Sequence, residues 1–285
     1  MHKLHLGEIE IIHIKAGRFR LDGGAMFGVI PKPLWEKQAP ADALNRIEMA
    51  CNCLLIRARN EYTLIDTGPG DRLSAKEQDF FDFDPQIRLV NSLKAVGCSP
   101  EQITRVVLTH LHFDHAGGAL CQSAKGIKPT FPRASYVIQQ GEWDDAIAGR
   151  STMRASYRPD DLKILQASGQ IHFIRGDVEL ESGISTFVTG GHTEHHQGIL
   201  IRAGGHTVAY PADLIPTRPH LRPFWNMAYD MFPHQTLMRK IDFMRQAREQ
   251  NWIIAWNHDP GELWSKLQLD NGHFIATALD SGEVS

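Results

Sequence analysis

Short apolar runs and alternating apolar and polar positions predict a series of strands interrupted by a few helices. Alternation at every second residue indicates a strand, and apolar residues three or four positions apart indicate a helix. On this basis we expect strands at residues 4–14, 53–57, 62–65, 105–109, 135–139, 171–174, 184–189, 206–210 and 252–256. We expect helices at residues 85–96, 142–148, 160–166 and 237–249, a further helix start at Ser99, and a helix cap at Thr236. Residues 21–33, which contain glycines and prolines, are expected to form a loop.

Five of the predicted strands are followed closely by a polar side chain that can bind a metal or support a metal ligand. These residues are Asp66, His110, His192, Asp213 and His258. Strand ends and the loops beyond them are where a rigid scaffold can place chemistry. Five such coincidences predict one site along one edge of a sheet core.

The densest group of these side chains follows the strand at 105–109. The run His110-Leu111-His112-Phe113-Asp114-His115 places four metal-capable side chains within six residues, and Gly117-Gly118 follows. The chain has 15 histidines, so chance clustering is the alternative explanation. The aspartate among the histidines, the preceding strand and the glycine pair favour a metal site, because imidazole and carboxylate are common ligands of zinc and related ions.

Composition narrows the class of protein. Hydrophobic residues make up 42% of the 285 residues and charged residues 22%, as in soluble globular proteins. The net charge of −3, without a basic run, argues against nucleic-acid binding. The N-terminus lacks the apolar core of a signal peptide, and no apolar stretch reaches membrane-spanning length. We therefore expect one cytoplasmic domain over residues 1–285 and no membrane partner.

The four cysteines, Cys51, Cys53, Cys98 and Cys121, form neither a disulfide framework nor a zinc-finger spacing. Buried thiols in a reducing compartment are the expectation. Cys51 and Cys53 alternate along a predicted strand, so they should share one face.

The chain resembles the metallo-β-lactamase superfamily. The resemblance rests on the H-x-H-x-D-H run, His192 within Gly-His-Thr, Asp213 after a strand and His258, and it extends from about Met49 to Asp259. It implies an α/β fold of the four-layer αβ/βα sandwich type.

The resemblance also implies a ligand set for two divalent metal ions. His110, His112 and His192 would bind the first ion, Asp114, His115 and His258 the second, and Asp213 would bridge both. Zinc suits these ligands best, with manganese, iron or cobalt as alternatives. Asp66 matches the family's aspartate that supports a ligand histidine, and His196 matches a histidine that supports the loop.

Two such ions bridged by a hydroxide provide a nucleophile at neutral pH, so the implied reaction is hydrolysis. Asp114 and Asp213 are the residues to which we assign catalytic roles. Asp114 is the candidate to carry a proton to the leaving group, and Asp213 would hold the metal pair together.

Several branches of the superfamily fit the sequence less well than others. A flavodiiron protein would carry Glu in place of His112, and β-lactamases generally lack an aspartate at position 213. Glyoxalase II-like thioesterases carry a helical C-terminal substrate domain, for which too few residues follow His258. Residues 23–32 and 212–217 look like segments of the quorum-quenching lactonase-like group.

We therefore expect a dinuclear hydrolase of lactones, of the N-acyl-homoserine lactone kind, or of related carboxylic esters. Phosphotriesterase, arylesterase and thioesterase activities of the same fold are the alternatives. A metal-stabilised sensor or binding protein is the non-enzyme alternative, although a structural zinc site needs only four ligands.

The substrate is expected to be a small-molecule ester or lactone. Candidate pocket residues are Met26, Phe27, His220, Trp225 and Tyr229. Packing in the core or at a dimer contact explains these large residues equally well, and a homodimer stays open. Pro216 is a departure from some homoserine lactonases, which carry a substrate-contacting tyrosine there, so Tyr229 and His220 are the candidate substitutes.

Overall fold

Two β-sheets are the framework of the structure, a computed structural model that describes residues 3–59, 61–149, 152, 154–181 and 183–279. The strands of these residues are β1 (Lys3–Leu6), β2 (Ile9–Asp22), β3 (Arg46–Ala58), β4 (Glu61–Ile65), β5 (Arg105–Val107), β6 (Leu120–Ser123), β7 (Gly126–Pro129), β8 (Ser135–Gln139), β9 (Ile171–Ile174), β10 (Ile184–Val188), β11 (Gln197–Ala203), β12 (His206–Tyr210), β13 (Ile253–Ala255), β14 (Trp264–Asp270) and β15 (His273–Thr277). Asn60, at the turn expected before the strand at 62–65, lies outside the described residues.

The strands pair in the order β1-β2-β3-β4-β5-β8-β9 in one sheet and β10-β11-β12-β13-β14-β15 in the other. β6 and β7 form a separate hairpin. Neighbours from β4 to β9 in the first sheet are parallel, as are β12 and β13 in the second. Parallel neighbours end at the same edge of a sheet, so the loops that follow them lie together.

Helices are short, with one exception. They are α1 (Gly23–Phe27), α2 (Lys32–Trp35), α3 (Ala75–Phe80), α4 (Leu89–Ala95), α5 (Phe113–Ala116), α6 (Gln140–Ala148), α7 (Pro159–Ala167) and the longest, α8 (Pro233–Glu249). Single 3₁₀ turns cover Pro100–Gln102, Gly117–Ala119, Arg154–Ser156, Ala212–Leu214 and Arg218–Leu221.

Buried apolar side chains show how the layers stack. Ile56 of β3 and Ile201 of β11 belong to the cluster between the two sheets. Leu93 of α4 belongs to the cluster on the outer face of the seven-stranded sheet, and Met244 of α8 to the cluster on the outer face of the other sheet. The order helices, sheet, sheet, helix is the expected αβ/βα sandwich, which the structure confirms.

Strand β3 shows how the sequence produces this layering. Cys51 and Cys53 face the outer helices, while Leu54 and Ile56 face the second sheet. Successive side chains of a strand point to opposite faces, so a strand that is buried on both faces is apolar at every position. Cys51 and Cys53 are free, buried and on one face, as expected.

Four local predictions were wrong. The strand expected at 4–14 is a hairpin, because Gly7 takes a φ of 57° and turns the chain between β1 and β2. The loop expected at 21–33 contains α1, whose first turn is capped by the Asp22 carboxylate, and α2, in which proline occupies the tolerant first turn. At Ser99 only one 3₁₀ turn follows, and Thr236 lies inside the first turn of α8.

Strands β6, β7, β11, β14 and β15 were not predicted. β11 begins with Gln197 and Gly198, which weaken the apolar pattern, and yet its first five residues are buried between neighbouring strands. Among the described residues no helix is long and apolar enough to cross a membrane.

Backbone hydrogen bonds join the two sheets at the edge where β4, β5, β12 and β13 end. Asn52 N donates to Asn257 O at 2.8 Å, and Gln197 N donates to Thr109 O at 3.0 Å. This edge carries the polar residues expected to form one site.

Candidate metal centre

All five strand ends singled out by the sequence meet at this edge of the structure. Asp66 follows β4, His110 follows β5 after two residues, and His192, Asp213 and His258 follow β10, β12 and β13. Asp66 and Ala212, which precedes Asp213, have left-handed φ angles of 57° and 47°. Such angles cost an L-residue about 1–2 kcal/mol, and they persist where surrounding structure enforces them, often at functional sites.

The first group of ligand-capable atoms comes from His110, His112 and His192. Their ring nitrogens lie within 4.8 Å of one another. Nε2 of His192 is 3.1 Å from Nδ1 of His112. Nε2 of His110 is buried and has no hydrogen-bond partner among the described residues.

The second group comes from Asp114, His115 and His258. Nε2 of His115 is 3.1 Å from Nε2 of His258, which is 3.6 Å from Oδ2 of Asp114. The two histidines are buried, whereas the Asp114 side chain keeps 11% of its surface exposed. Asp114 is thus the member of this group that solvent or a small molecule can reach.

Asp213 lies between the two groups, and each of its carboxylate oxygens faces one of them. Oδ1 is 3.3 Å from His115 Nε2 and 3.2 Å from His258 Nε2. Oδ2 is 3.2 Å from His192 Nε2 and 4.0 Å from His110 Nε2. The carboxylate therefore has the position of a bridge.

The hydrogen-bond partners of Nδ1 in the histidine rings show whether the inward-facing Nε2 atoms can bind cations. Nδ1 of His258 donates to the carbonyl oxygen of Ala50 at 2.7 Å, and carboxylates accept from Nδ1 of His115 and of His192. Because these partners can only accept, each ring carries a proton on Nδ1, and in the neutral ring the lone pair at Nε2 points inward. Nε2 of His115 and Nε2 of His258, 3.1 Å apart, must share a proton unless a cation lies between them, and a divalent cation replaces that proton by accepting both lone pairs. The residues present fit divalent metal ions.

Buried charges shift the titration of the site. Burial lowers the pKa of His110 and His112 well below the ordinary value, which keeps both rings neutral and able to bind a metal. Burial alone would raise the pKa of Asp213, but His115, His258 and His192 outweigh it and hold that pKa well below its usual range. Asp213 is therefore a carboxylate.

Asp66 supports His115. Its Oδ2 accepts from Nδ1 of His115 at 2.9 Å, while its Oδ1 accepts from the backbone N–H of Thr109 at 2.8 Å. One carboxylate thus fixes both a ring orientation and the loop that begins the H-x-H-x-D-H run. Such partners raise the basicity of a ligand histidine and set its tautomer.

His196 supports Asp213 through the backbone. The N–H of Asp213 donates to Nε2 of His196 at 3.2 Å, and Nδ1 of His196 lies 2.6 Å from the hydroxyl of Thr189. The ring is buried and linked to both loops.

The glycine pair after the H-x-H-x-D-H run has a packing reason. A Cβ at Gly117 would collide with the carbonyl oxygen of Pro69, and one at Gly118 with that of Thr67. The two loops that follow β4 and β5 therefore touch backbone to backbone, which brings Asp66 within reach of His115.

Three supporting residues were not found from the sequence. Asp230 accepts from Nδ1 of His192 at 3.1 Å, Asn52 donates to the carbonyls of Trp256 and Asp259 around His258, and Glu142 binds the loops of His112 and His192. No local signal assigns them this supporting role, because each lies at least 31 residues along the chain from a partner it binds.

Most of the predicted pocket residues belong to the core. Met26 and Phe27 are 1% and 0% exposed, and Trp225 is 7% exposed, all in the cluster outside the seven-stranded sheet. Tyr229 is partly exposed. Burial, with the nearby charges of Asp22 and Asp114, raises the pKa of Tyr229 to about 12, so its hydroxyl keeps its proton.

For His220 the structure departs from the prediction of a pocket residue. Its Nε2 donates to the carbonyl oxygen of Met26 at 2.8 Å, its Nδ1 lies 2.6 Å from the Thr217 hydroxyl, and its ring stacks on Phe27. Both ring nitrogens are occupied and the side chain is buried, so none is left for a substrate.

Comparison with known proteins gives consistent results. A family model described as the Metallo-beta-lactamase superfamily matches residues 46–249. An N-acyl homoserine lactonase of Bacillus cereus is 27% identical over 203 residues, which are 67% of this chain and 70% of that protein.

Two solved structures cover nearly the whole chain. A probable metal-dependent hydrolase from Staphylococcus aureus has a TM-score of 0.88 at 31% identity, covering 97% of this chain and 99% of that one. AidC, a dizinc quorum-quenching lactonase in complex with a product, has a TM-score of 0.79 at 23% identity, covering 98% and 97%.

Proposed function

The chain belongs to the metallo-beta-lactamase superfamily, and on that premise we propose that it opens lactones of the N-acyl-homoserine kind, or related carboxylic esters, at a pair of divalent metal ions. The observation that carries this proposal is the position of Asp213, whose two oxygens face two separate groups of histidines. A structural zinc site needs four ligands around one ion, and a bridging carboxylate would have no task there.

In this proposal each metal has its own group of ligands. His110, His112 and His192 hold the first ion, Asp114, His115 and His258 hold the second, and Asp213 binds both. Zinc fits this nitrogen- and oxygen-rich set, and manganese, iron and cobalt accept the same ligands. When bound, the pair supplies a water ionised near neutral pH and a Lewis acid for the substrate carbonyl.

Asp114 is the residue to which we assign proton transfer. With 11% of its side chain accessible, it is the most exposed of the seven proposed ligands. Its carboxylate takes a proton from the attacking water. It then gives that proton to the ring oxygen of the lactone as the bond between the carbonyl carbon and the ring oxygen breaks. Lactone and water thereby give the hydroxy acid, with atoms and charge conserved.

Tyr229 is the residue that we propose contacts the substrate carbonyl. Its neighbour Asp230 binds His192, and the charge of Asp114 is near enough to contribute to the raised pKa of Tyr229. His220 has no free ring nitrogen, and Pro216 occupies the position at which some lactonases carry tyrosine. A protonated phenol donates one hydrogen bond, as a carbonyl oxygen requires.

The similar proteins support the substrate class. The Bacillus cereus relative is named N-acyl homoserine lactonase, and AidC is described in complex with an N-hexanoyl-L-homoserine product. In this proposal the acyl chain contacts the loops around Met26 and Trp225, whose own side chains are buried in the apolar cluster outside the seven-stranded sheet.

The test is a hydrolysis panel on the metal-loaded protein with metal analysis on the same sample. It contains acyl-homoserine lactones of several chain lengths, γ- and δ-lactones, aryl acetates, a thioester and paraoxon. We expect two metals per chain and the highest kcat/KM on a lactone or carboxylic ester. If the thioester or paraoxon is hydrolysed fastest, the proposed substrate class of lactones and carboxylic esters is wrong. Two bound metals without hydrolysis of any of these compounds would favour the sensor or binding protein.

A further inference from the structure

A single buried carboxylate connects the two loops that carry the first group of histidines. Glu142, in α6, is 1% exposed. Its Oε1 accepts from the backbone N–H of Leu111 at 3.0 Å and from the Tyr157 hydroxyl at 3.1 Å. Its Oε2 accepts from the Thr193 hydroxyl at 2.6 Å. The donors come from three separate segments of the chain.

Each donor is adjacent to a proposed ligand of the first metal. Leu111 lies between His110 and His112, and Thr193 follows His192. The Tyr157 ring packs edge-on against the His112 ring, with centroids 4.8 Å apart. Glu142 therefore fixes the distances between the His112 loop, the His192 loop and the Tyr157 ring that packs against His112.

The chemistry of this contact favours a rigid arrangement. Burial raises the pKa of Glu142, because a carboxylate loses its water there, and three donors offset part of this loss. Removing the Thr193 hydroxyl leaves Oε2 buried without a donor, whereas Oε1 keeps one donor when the Tyr157 hydroxyl is removed. None of the three donors is a charged group, so their geometry and not an ion pair determines the position of the carboxylate.

We propose that Glu142 is a positioning residue that sets the spacing of His112 and His192, and thereby the affinity of the first metal. The inference rests on the proposed metal pair. Glu142 touches neither metal nor substrate, and it acts through the two loops that it joins.

The variants follow from the three hydrogen bonds. Glu142→Ala removes all of them. Glu142→Gln keeps an oxygen for Leu111 N and Tyr157, and its amide can donate to the Thr193 hydroxyl, which also accepts. Tyr157→Phe and Thr193→Val each remove one donor and keep the shape of the side chain.

Tyr136→Phe is the matched control. The Tyr136 hydroxyl is also buried and donates to Ala119 O while accepting from Phe131 N, but it contacts no ligand histidine. We expect Tyr136→Phe to lower the melting temperature and to leave metal affinity unchanged. A residue with a purely structural role would behave in the same way.

The measurement is metal content after dialysis against a buffered chelator, together with the melting temperature of the metal-free protein. We expect Glu142→Ala to lose one of two metals and to bind it 10–100-fold more weakly, the usual effect of removing a ligand's supporting group. Glu142→Gln should lie much closer to the wild type. Wild-type affinity for both metals in Glu142→Ala would overturn the inference.

Two further outcomes separate the inference from what it rests on. If the wild type fails to bind two metals, the metal pair itself is wrong. If Glu142→Ala does not fold, Tyr157→Phe and Thr193→Val replace it. Weakened binding of one metal in both supports the role of Glu142, and wild-type affinity in both overturns it.

Discussion

Replacing Asp66 by asparagine should disturb one metal through the tautomer of His115. The wild-type carboxylate accepts from His115 Nδ1 at 2.9 Å and from Thr109 N at 2.8 Å. An asparagine side chain has one acceptor oxygen and one amide NH₂ group, which only donates. The backbone N–H of Thr109 has a fixed direction, so the asparagine oxygen should continue to accept from it. The NH₂ group then faces His115 and donates to Nδ1.

This change alters the protonation of Nε2 of His115, the atom that would bind the metal. With Nδ1 accepting, the ring proton moves to Nε2, which lies 3.3 Å from Oδ1 of Asp213 and no longer offers a lone pair. Binding a metal then requires the ring to lose its bond to the amide and return to the other tautomer. A hydrogen bond to a charged group contributes about 1.5–3 kcal/mol. We therefore expect the affinity of the second metal to fall about 10- to 100-fold.

The assay is chelator competition with metal analysis, alongside turnover of a lactone. Asp161→Asn is the control, because it also removes one partly buried carboxylate, paired with Arg72 at 2.7 Å, without touching a histidine of the site. We expect wild-type metal affinity in Asp161→Asn. Two metals bound with wild-type affinity in Asp66→Asn would refute the reasoning about the tautomer.

Three more outcomes are expected. Asp213→Ala should lose most activity and loosen both metals, and retention of two metals with a near-wild-type rate would contradict the bridging role. Tyr229→Phe should keep two metals and lower kcat/KM for lactones about 2- to 10-fold, the effect of one neutral hydrogen bond, and an unchanged kcat/KM would exclude that contact. Lys240 is buried, which lowers its pKa to about 7, and its two acceptors, Trp225 O and Asn226 Oδ1, match the two N–H bonds of a neutral amine. Between pH 7 and about 10 the unfolded chain binds a proton at Lys240 that the folded protein does not bind. The free energy of unfolding of the wild type should therefore rise with pH relative to that of Lys240→Met, by at most about 1.4 kcal/mol per pH unit. Urea denaturation at pH 7, 8 and 9 checks this, and parallel pH profiles of the two proteins would contradict it.

Much of the fold could be predicted because its central strands are buried on both faces. The strand at 135–139, which is buried at four of its five positions, agrees with the structure to the residue. The edge strand at 171–174 also agrees. The hairpin at Gly7 could not be predicted, because a positive φ at one glycine decides it. The two short helices after Asp22 were also missed, since one begins at a single capping carboxylate and the other at a proline in its first turn. Such local choices leave little trace in an apolar pattern.

The sequence by itself determined which side chains are available for the site and roughly where they lie. Asp66, His192, Asp213 and His258 each follow an apolar strand, and parallel strands must end together. Only the tertiary structure decided which atoms face each other: that Asp66 serves His115, that the two oxygens of Asp213 divide between two groups, and that Asp230 and Glu142 hold His192 and its loop. The physical reason is distance along the chain. Periodicity reports the environment within a few residues, whereas a hydrogen bond between residues 38 or 51 positions apart exists only once the tertiary structure has formed.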